Sequence, residues 1–153
     1  MLEFCLVGLP IIFITFSLIW MCFGMWEYQS MEAAVSYVTR SSSAHGSDCA
    51  GLGCATTVGN VATTLQQMIG VPDNQVNVTL TSSASTVTCN PLNTCYTNTN
   101  SWPSLAGNTP GTDITIKAQY TMNLLIGLWE PGRGFQQFSA VPLAAQARQV
   151  VVY

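Results

Sequence analysis

The chain has 153 residues and a formal net charge of −3 at pH 7, and charged residues make up only 7% of it. This length suffices for one long helix and one small domain, and it excludes two domains with full cores. Four basic side chains are too few for a nucleic-acid-binding surface. A surface with so little charge opposes the packing of identical copies only weakly, which favours self-association.

The first stretch, Phe4 to Trp26, contains no charged residue and is bracketed by Glu3 and Glu27. At 1.5 Å per residue, its 23 residues span about 34 Å, enough to cross the hydrocarbon core of a bilayer. Apolar side chains cover its whole circumference, unlike the single apolar stripe of a helix on a soluble domain. The stretch therefore predicts a membrane-spanning helix. A cleavable signal peptide would begin with positive charge, which Met1 to Glu3 lacks.

Two residues set this stretch apart from an ordinary anchor. Glu3 places a carboxylate beside apolar surroundings, which is costly unless a cation meets it. The free α-amino group of a neighbouring copy would be such a cation. Pro10 lacks a backbone donor and clashes with the preceding turn, so a kink or melted turn is expected between Leu6 and Pro10.

The pattern of these residues continues as an Ala-rich amphipathic segment to about Arg40. The part of the pattern before this segment consists of Glu3, Phe4, Leu6, Val7, Pro10, the apolar run, Gly24 and Glu27. In these residues the chain resembles TadE-like pilins of the tight-adherence (type IVc) branch of type IV pili. The resemblance implies cleavage of a leader by a prepilin peptidase, a helix that forms the filament core, and an inner-membrane assembly machine as partner. It also implies an extracellular filament. In the family the glutamate usually lies further from the cut than Glu3 does from Met1, so the mature N-terminus stays open.

Beyond Glu27 the helix is expected to continue with one apolar side, formed by Tyr28, Met31, Ala34, Val35 and Val38. The small polar residues from Ser41 to Gly46 are expected to end it. The sequence thus divides into an N-terminal membrane or filament-core helix, residues 1–44, and a secreted head, residues 45–153.

A second helix is predicted by a single apolar stripe with Thr56 or Thr57 as its N-cap, and Gly70 and Pro72 stop it. The stripe consists of Val58, Val61, Ala62, Leu65, Met68 and Ile69. Alternating apolar residues then predict three strands, over 76–81, 114–122 and about 144–153. Because the strands come late and do not alternate with helices, the expected class is α+β, a type IV pilin-like helix and head with an antiparallel sheet of about three strands.

Two long connections interrupt the strands. The Ser-, Thr-, Asn- and Gly-rich region from Ser82 to Gly111 is either a plain exposed excursion or an adhesive or interface surface. The segment from Asn123 to Phe135 is too apolar for a solvated loop, and either contacts a neighbouring subunit or folds over its own core. The residues proposed for the contact are Leu124, Leu125, Ile126, Leu128 and Trp129.

The six cysteines differ in their surroundings. Cys5 and Cys22 lie in the apolar helix, about 25 Å apart, and are expected to be free thiols. Four others lie in the head, where local bridges from Cys49 to Cys54 and from Cys89 to Cys95 are preferred because each closes a short loop. Crossed pairs and a four-cysteine zinc site remain open.

No catalytic motif or cofactor-binding pattern is present, and a metal-binding role is not expected for His45, the only histidine. The sequence is therefore interpreted as a structural pilin subunit, not an enzyme, that polymerises with copies of itself. The candidates for close helix approach are Gly8, Ser17 and Gly24. The alternatives are a minor pseudopilin that primes or caps assembly, and a monomeric, membrane-anchored extracytoplasmic binding domain.

Overall fold

A computed structural model describes residues 2–44, 56–122, 127–130, 134–137 and 140–152. Over these residues the chain is α+β, as predicted, with a long N-terminal helix, a short second helix and an antiparallel sheet. The helices are α1 (Leu2–Ala44) and α2 (Val58–Met68). The strands are β1 (Val76–Ser82), β2 (Thr86–Cys89), β3 (Asp113–Met122), β4 (Gly127–Glu130), β5 (Gly134–Gln137) and β6 (Val141–Val150).

Helix α1 has 43 residues and is helical on both sides of Pro10. The melted turn expected between Leu6 and Pro10 is therefore absent. A proline removes only one backbone donor, and the turns on either side keep their own hydrogen bonds, so the helix tolerates it. The expected continuation beyond Glu27 is confirmed, and α1 ends at Ala44, within the small polar stretch expected to stop it.

Helix α2 begins at a capped N-terminus held by the loop that follows β2. The Thr57 hydroxyl accepts a hydrogen bond from the Asn60 amide at 3.2 Å, which confirms one of the two predicted caps. The amides of Val58 and Gly59 donate to the carbonyls of Asn100 and Asn98, both at 2.9 Å. These bonds satisfy first-turn donors that a helix cannot satisfy internally.

The main sheet has the strand order β2-β1-β3-β6, with every neighbouring pair antiparallel. In the register of β1 and β3, Val78 lies opposite Ala118 and Leu80 opposite Ile116, and all four side chains are buried. The three predicted strands are confirmed, although β6 begins at Val141 and not near residue 144. The prediction of about three strands missed β2, whose four residues pair with β1.

The core lies between this sheet and the two helices. Helix α1 packs against β3 and β6 and also contacts α2. Its contribution comes from the second half, where Met31, Ala34, Val35 and Val38 are 0–3% exposed. The predicted apolar side of this half is therefore the one that packs on the head.

The region from Ser82 to Gly111 is not a plain exposed excursion, because several of its side chains complete the core. Trp102 and Leu92 are each 1% exposed, and Cys89 and Cys95 are also buried. The Trp102 amide donates to the Thr56 carbonyl at 2.8 Å, which ties the region to the residues before α2. Part of this region thus belongs to the main sheet as β2, and the turn that contains Leu92 and Cys95 packs beside α2.

The strands β4 and β5 form a separate antiparallel hairpin between β3 and β6. Of the predicted contact residues, Leu128 and Trp129 lie in β4, opposite Gln136 and Phe135 of β5 in backbone register. Leu124, Leu125 and Ile126 lie outside the described residues. The hairpin lies in the connection from Met122 to Val141, which are paired with each other at one end of β3 and β6.

Candidate functional site

The two halves of α1 differ sharply in exposure. In the first half, Ile14 and Met21 are 60% and 64% exposed, whereas Met31 and Val35 in the second half are 1% and 0% exposed. The sequence explains the difference, since the first half is apolar all round and the second has one apolar side. Half of the helix therefore belongs to the core of the head, and the other half is an apolar rod. We call Val7 to Trp26 the rod.

The rod has the length and composition of a membrane-spanning segment. Among the residues that the structure describes, one helical segment, Pro10–Ala44, meets these criteria, with a mean hydropathy of 1.6 over its most apolar part. None of that most apolar part is buried in the structure. The N-terminal helix is thus long and apolar enough to anchor the chain in a bilayer.

The residues predicted for assembly are distributed along the rod and before it. Val7 is 59% exposed and Pro10 is also exposed. Gly8 is half-buried, and the hydroxyl of Ser17 donates to the Phe13 carbonyl one turn earlier, at 2.8 Å. The side chains of three others lie outside the described part of the chain: Glu3, Phe4 and Leu6.

Gly24 makes a close approach within the chain. A Cβ atom on Gly24 would lie 3.1 Å from the sulfur of Met122, at the end of β3. Similarly, a Cβ atom on Gly70 would lie 2.8 Å from the indole of Trp26. The rod therefore meets the head at residues 24–26, where glycine lets a bulky side chain reach the backbone. The absence of a Cβ atom at Gly24 serves the chain's own packing, a role that its sequence position did not reveal.

A groove with a volume of about 630 Å³ opens where the rod leaves the head. One wall is the face of α1 from Ser17 to Met25, on which Ser17, Met21 and Met25 recur at four-residue spacing. The opposite wall consists of apolar side chains from the adjacent ends of β3 and β6: Met122, Val141 and Leu143. Three of the lining residues are methionines, Met21, Met25 and Met122, whose flexible side chains can adapt to irregular apolar partners.

The end of the groove nearest the head is polar. Tyr28, Gln29 and Glu32 line it, and no Lys or Arg is among the described residues that do. Close to it, one carboxylate oxygen of Glu27 is buried and has no hydrogen-bond partner among the described residues. Burial raises the pKa of Tyr120 on β3, and the nearby charge of Glu27 raises it further. Burial also raises the pKa of Glu27, which favours its neutral form, so the acidic side chain that lines this end is the exposed Glu32.

The cysteines of the head are partly described. Cys89 and Cys95 form a disulfide, which is one of the two local bridges predicted. A zinc site made of all four head cysteines is therefore wrong, because two of the sulfurs are bonded to each other. Cys49 and Cys54 lie outside the described residues, and Cys22 is an exposed free thiol on the rod. Within the described ranges, no cluster of three or more His, Cys, Asp or Glu residues is placed to hold a metal ion.

A hydrogen bond connects the disulfide loop to the turn before β1. The Tyr96 hydroxyl donates to Asp73 Oδ2 at 2.8 Å. Burial of the ring, together with this bond and the charge of Asp73, raises the pKa of Tyr96 to about 12. The phenol is thus held in its neutral, donating form, and the bond pins the loop that caps α2.

Sequence reasoning found the rod but missed the groove. The α1 wall carries a visible signal, because Ser17, Trp20, Gly24 and Tyr28 follow three- and four-residue spacing. The strand wall carries none, since only the fold brings Met122 beside Gly24. Comparisons with models of protein families, with curated proteins and with solved structures found no match for this chain.

Proposed function

We propose that the chain is the structural subunit of an extracellular, type IV-like pilus, of the TadE-like kind that its N-terminus resembles, and that it serves surface adhesion. The observation that carries this proposal is the division of α1. One half is built into the head, and the other is an uncharged rod whose large apolar side chains, such as Ile14, are about 60% exposed. Such a rod needs lipid or other rods around it.

Assembly then exchanges one apolar environment for another. Before assembly the rod lies in the inner membrane, and in the filament it packs against the rods of other copies. Because lipid tails and packed side chains are similarly apolar, shape complementarity and pairing of polar groups decide the register. Gly8 and Ser17 are the small rod residues available for close approach, and Glu3 is proposed to pair with the α-amino group of a neighbouring copy.

The head decorates the outside of the filament in this proposal. A prepilin peptidase and an inner-membrane assembly machine act on the chain before it is incorporated. The apolar segment containing Leu124 to Trp129 is proposed to contact a neighbouring subunit. The contact of Met122 with Gly24 of the rod supports the idea, because Met122 immediately precedes the connection that contains this segment.

Electron microscopy of material sheared from cells tests the proposal, with an antibody against the head identifying the chain. Abundant labelled fibres support a major pilin. Trace label at fibre ends or bases supports the alternative of a minor pseudopilin. Recovery of all the chain as a detergent-soluble monomer, with no labelled fibres, contradicts the proposal and supports a membrane-anchored binding domain.

A further inference from the structure

The groove beside the rod has the size and polarity of a binding site for a single amphiphile. Its volume of about 630 Å³ lies within the range of roughly 300–1,000 Å³ typical of small-molecule pockets. Between Ser17 and Glu32 it follows α1 for about 22 Å. A second helix with a diameter of 10–12 Å would occupy roughly 2,000 Å³ over that length, so only part of its surface would fit. A single extended hydrocarbon chain is much thinner than a helix and can lie along the whole length of the groove.

The direction of the polarity matches a lipid in the membrane that the rod would cross. The apolar wall formed by α1, residues 17–25, lies inside the predicted membrane span. The polar end of the groove, Tyr28 to Glu32, lies beyond that span. Tyr28, two residues beyond the end of the span, lines the groove in the interfacial zone where such side chains are enriched. A phospholipid in the same leaflet has its acyl chain and its headgroup in the same order along this axis.

The charge at the polar end selects among headgroups. The exposed carboxylate of Glu32 lines that end, and no Lys or Arg is among the lining residues that the structure describes. An anionic headgroup would be repelled there, whereas a headgroup ammonium would form a charge-assisted hydrogen bond. We infer that the groove holds one acyl chain of an aminophospholipid, with its ammonium group at the Glu32 end.

This inference does not depend on filament formation, since it concerns the chain in the membrane. It is tested with the full-length chain in nanodiscs that contain equal amounts of phosphatidylethanolamine and phosphatidylglycerol. After release into mild detergent, native mass spectrometry counts the lipids retained. We expect one phosphatidylethanolamine per chain, favoured over phosphatidylglycerol by about tenfold, the effect of one charge-assisted hydrogen bond. Retention of no lipid by the natural chain overturns the inference.

Two variants of β6 locate the bound lipid. Val141→Trp places a large ring in the groove, and Val150→Trp makes the same change at the other end of the strand, where the side chain is also exposed. We expect Val141→Trp to lower the retained lipid by about tenfold or more and Val150→Trp to leave it unchanged. Equal retention by the two variants overturns the inference. The inference is also overturned if the natural chain is a lipid-free dimer and Val141→Trp converts it to a monomer, because the groove would then hold a second copy of the chain.

A third variant tests the headgroup without disturbing the core. Glu32 is exposed, so Glu32→Gln is expected to fold normally. It should still retain one lipid but lose the preference for phosphatidylethanolamine. If the preference stays unchanged in this variant, the assignment of an amine at the polar end is wrong.

Discussion

The two halves of α1 share one continuous helical backbone but differ in what their side chains do. In the half before Glu27, large apolar side chains face outward in every direction, and in the half after it, one apolar side is buried and the polar side is exposed. Charge distribution accounts for the difference, because the rod has none and the second half carries Glu32 and Arg40 on its outer side. The same secondary structure thus packs into the head at one end and exposes apolar side chains at the other.

The largest difference between the halves should appear when a charge is placed in each. Ile14 and Tyr37 are 60% and 58% exposed on the same helix. Ile14→Lys introduces a cost of about 3 kcal/mol per subunit in an apolar environment, which should abolish fibres. Tyr37→Lys should leave their number unchanged. Fibres in sheared material are counted by electron microscopy, after membrane fractionation has shown that both variants reach the membrane. Normal fibres from Ile14→Lys would contradict a packed rod.

Truncating a side chain in each half should affect the stability of the head, and here the second half of α1 should be the sensitive one. Met31 is 1% exposed and Met21 is 64% exposed. Met31→Ala leaves a cavity between α1 and the sheet and should lower the free energy of unfolding of the head by about 2–5 kcal/mol. Met21→Ala should change it by less than about 0.5 kcal/mol. Denaturant unfolding of the detergent-solubilised chain, followed by near-ultraviolet circular dichroism, measures both. Equal losses would show that the rod is also part of the folded unit.

The disulfide provides a change confined to the head. It closes a loop with a sequence separation of 6 residues, so replacing Cys89 and Cys95 together by Ala should cost about 2 kcal/mol of stability. Below the lowered unfolding temperature, fibres should still form if only the rods hold them together. Cys22→Ala, on the rod, serves as the matched control for stability. A folded double variant that makes no fibres would show that the disulfide loop is itself part of the assembly surface.

The features predicted from the sequence were those with local periodicity. The uncharged run of the rod, the stripe of α2 and the alternation in β1 and β3 each specify an element through neighbouring residues. Strand β2 was missed because four residues within a Ser- and Thr-rich region give too short a pattern, and its pairing with β1 depends on the turn between them. The groove was missed for a different reason, since Gly24 and Met122 are distant in sequence and meet only through the fold.

The smallest predicted effect concerns the bond that pins the disulfide loop. Tyr96→Phe removes the hydrogen bond to Asp73 and should lower the free energy of unfolding by about 1 kcal/mol at neutral pH. Folding raises the pKa of Tyr96 from 10.0 to about 12, so its stabilising contribution is complete below pH 10 and is lost as the pH rises through 12. Unfolding temperatures of the two chains should therefore differ at pH 7 and converge between pH 10 and 12. Tyr37→Phe, an exposed phenol on α1, controls for the general loss of a hydroxyl. The hydrogen bond of Tyr96 lies within the head, so the number of fibres should not change in Tyr96→Phe. If the number of fibres falls while the head stays folded, the disulfide loop takes part in assembly.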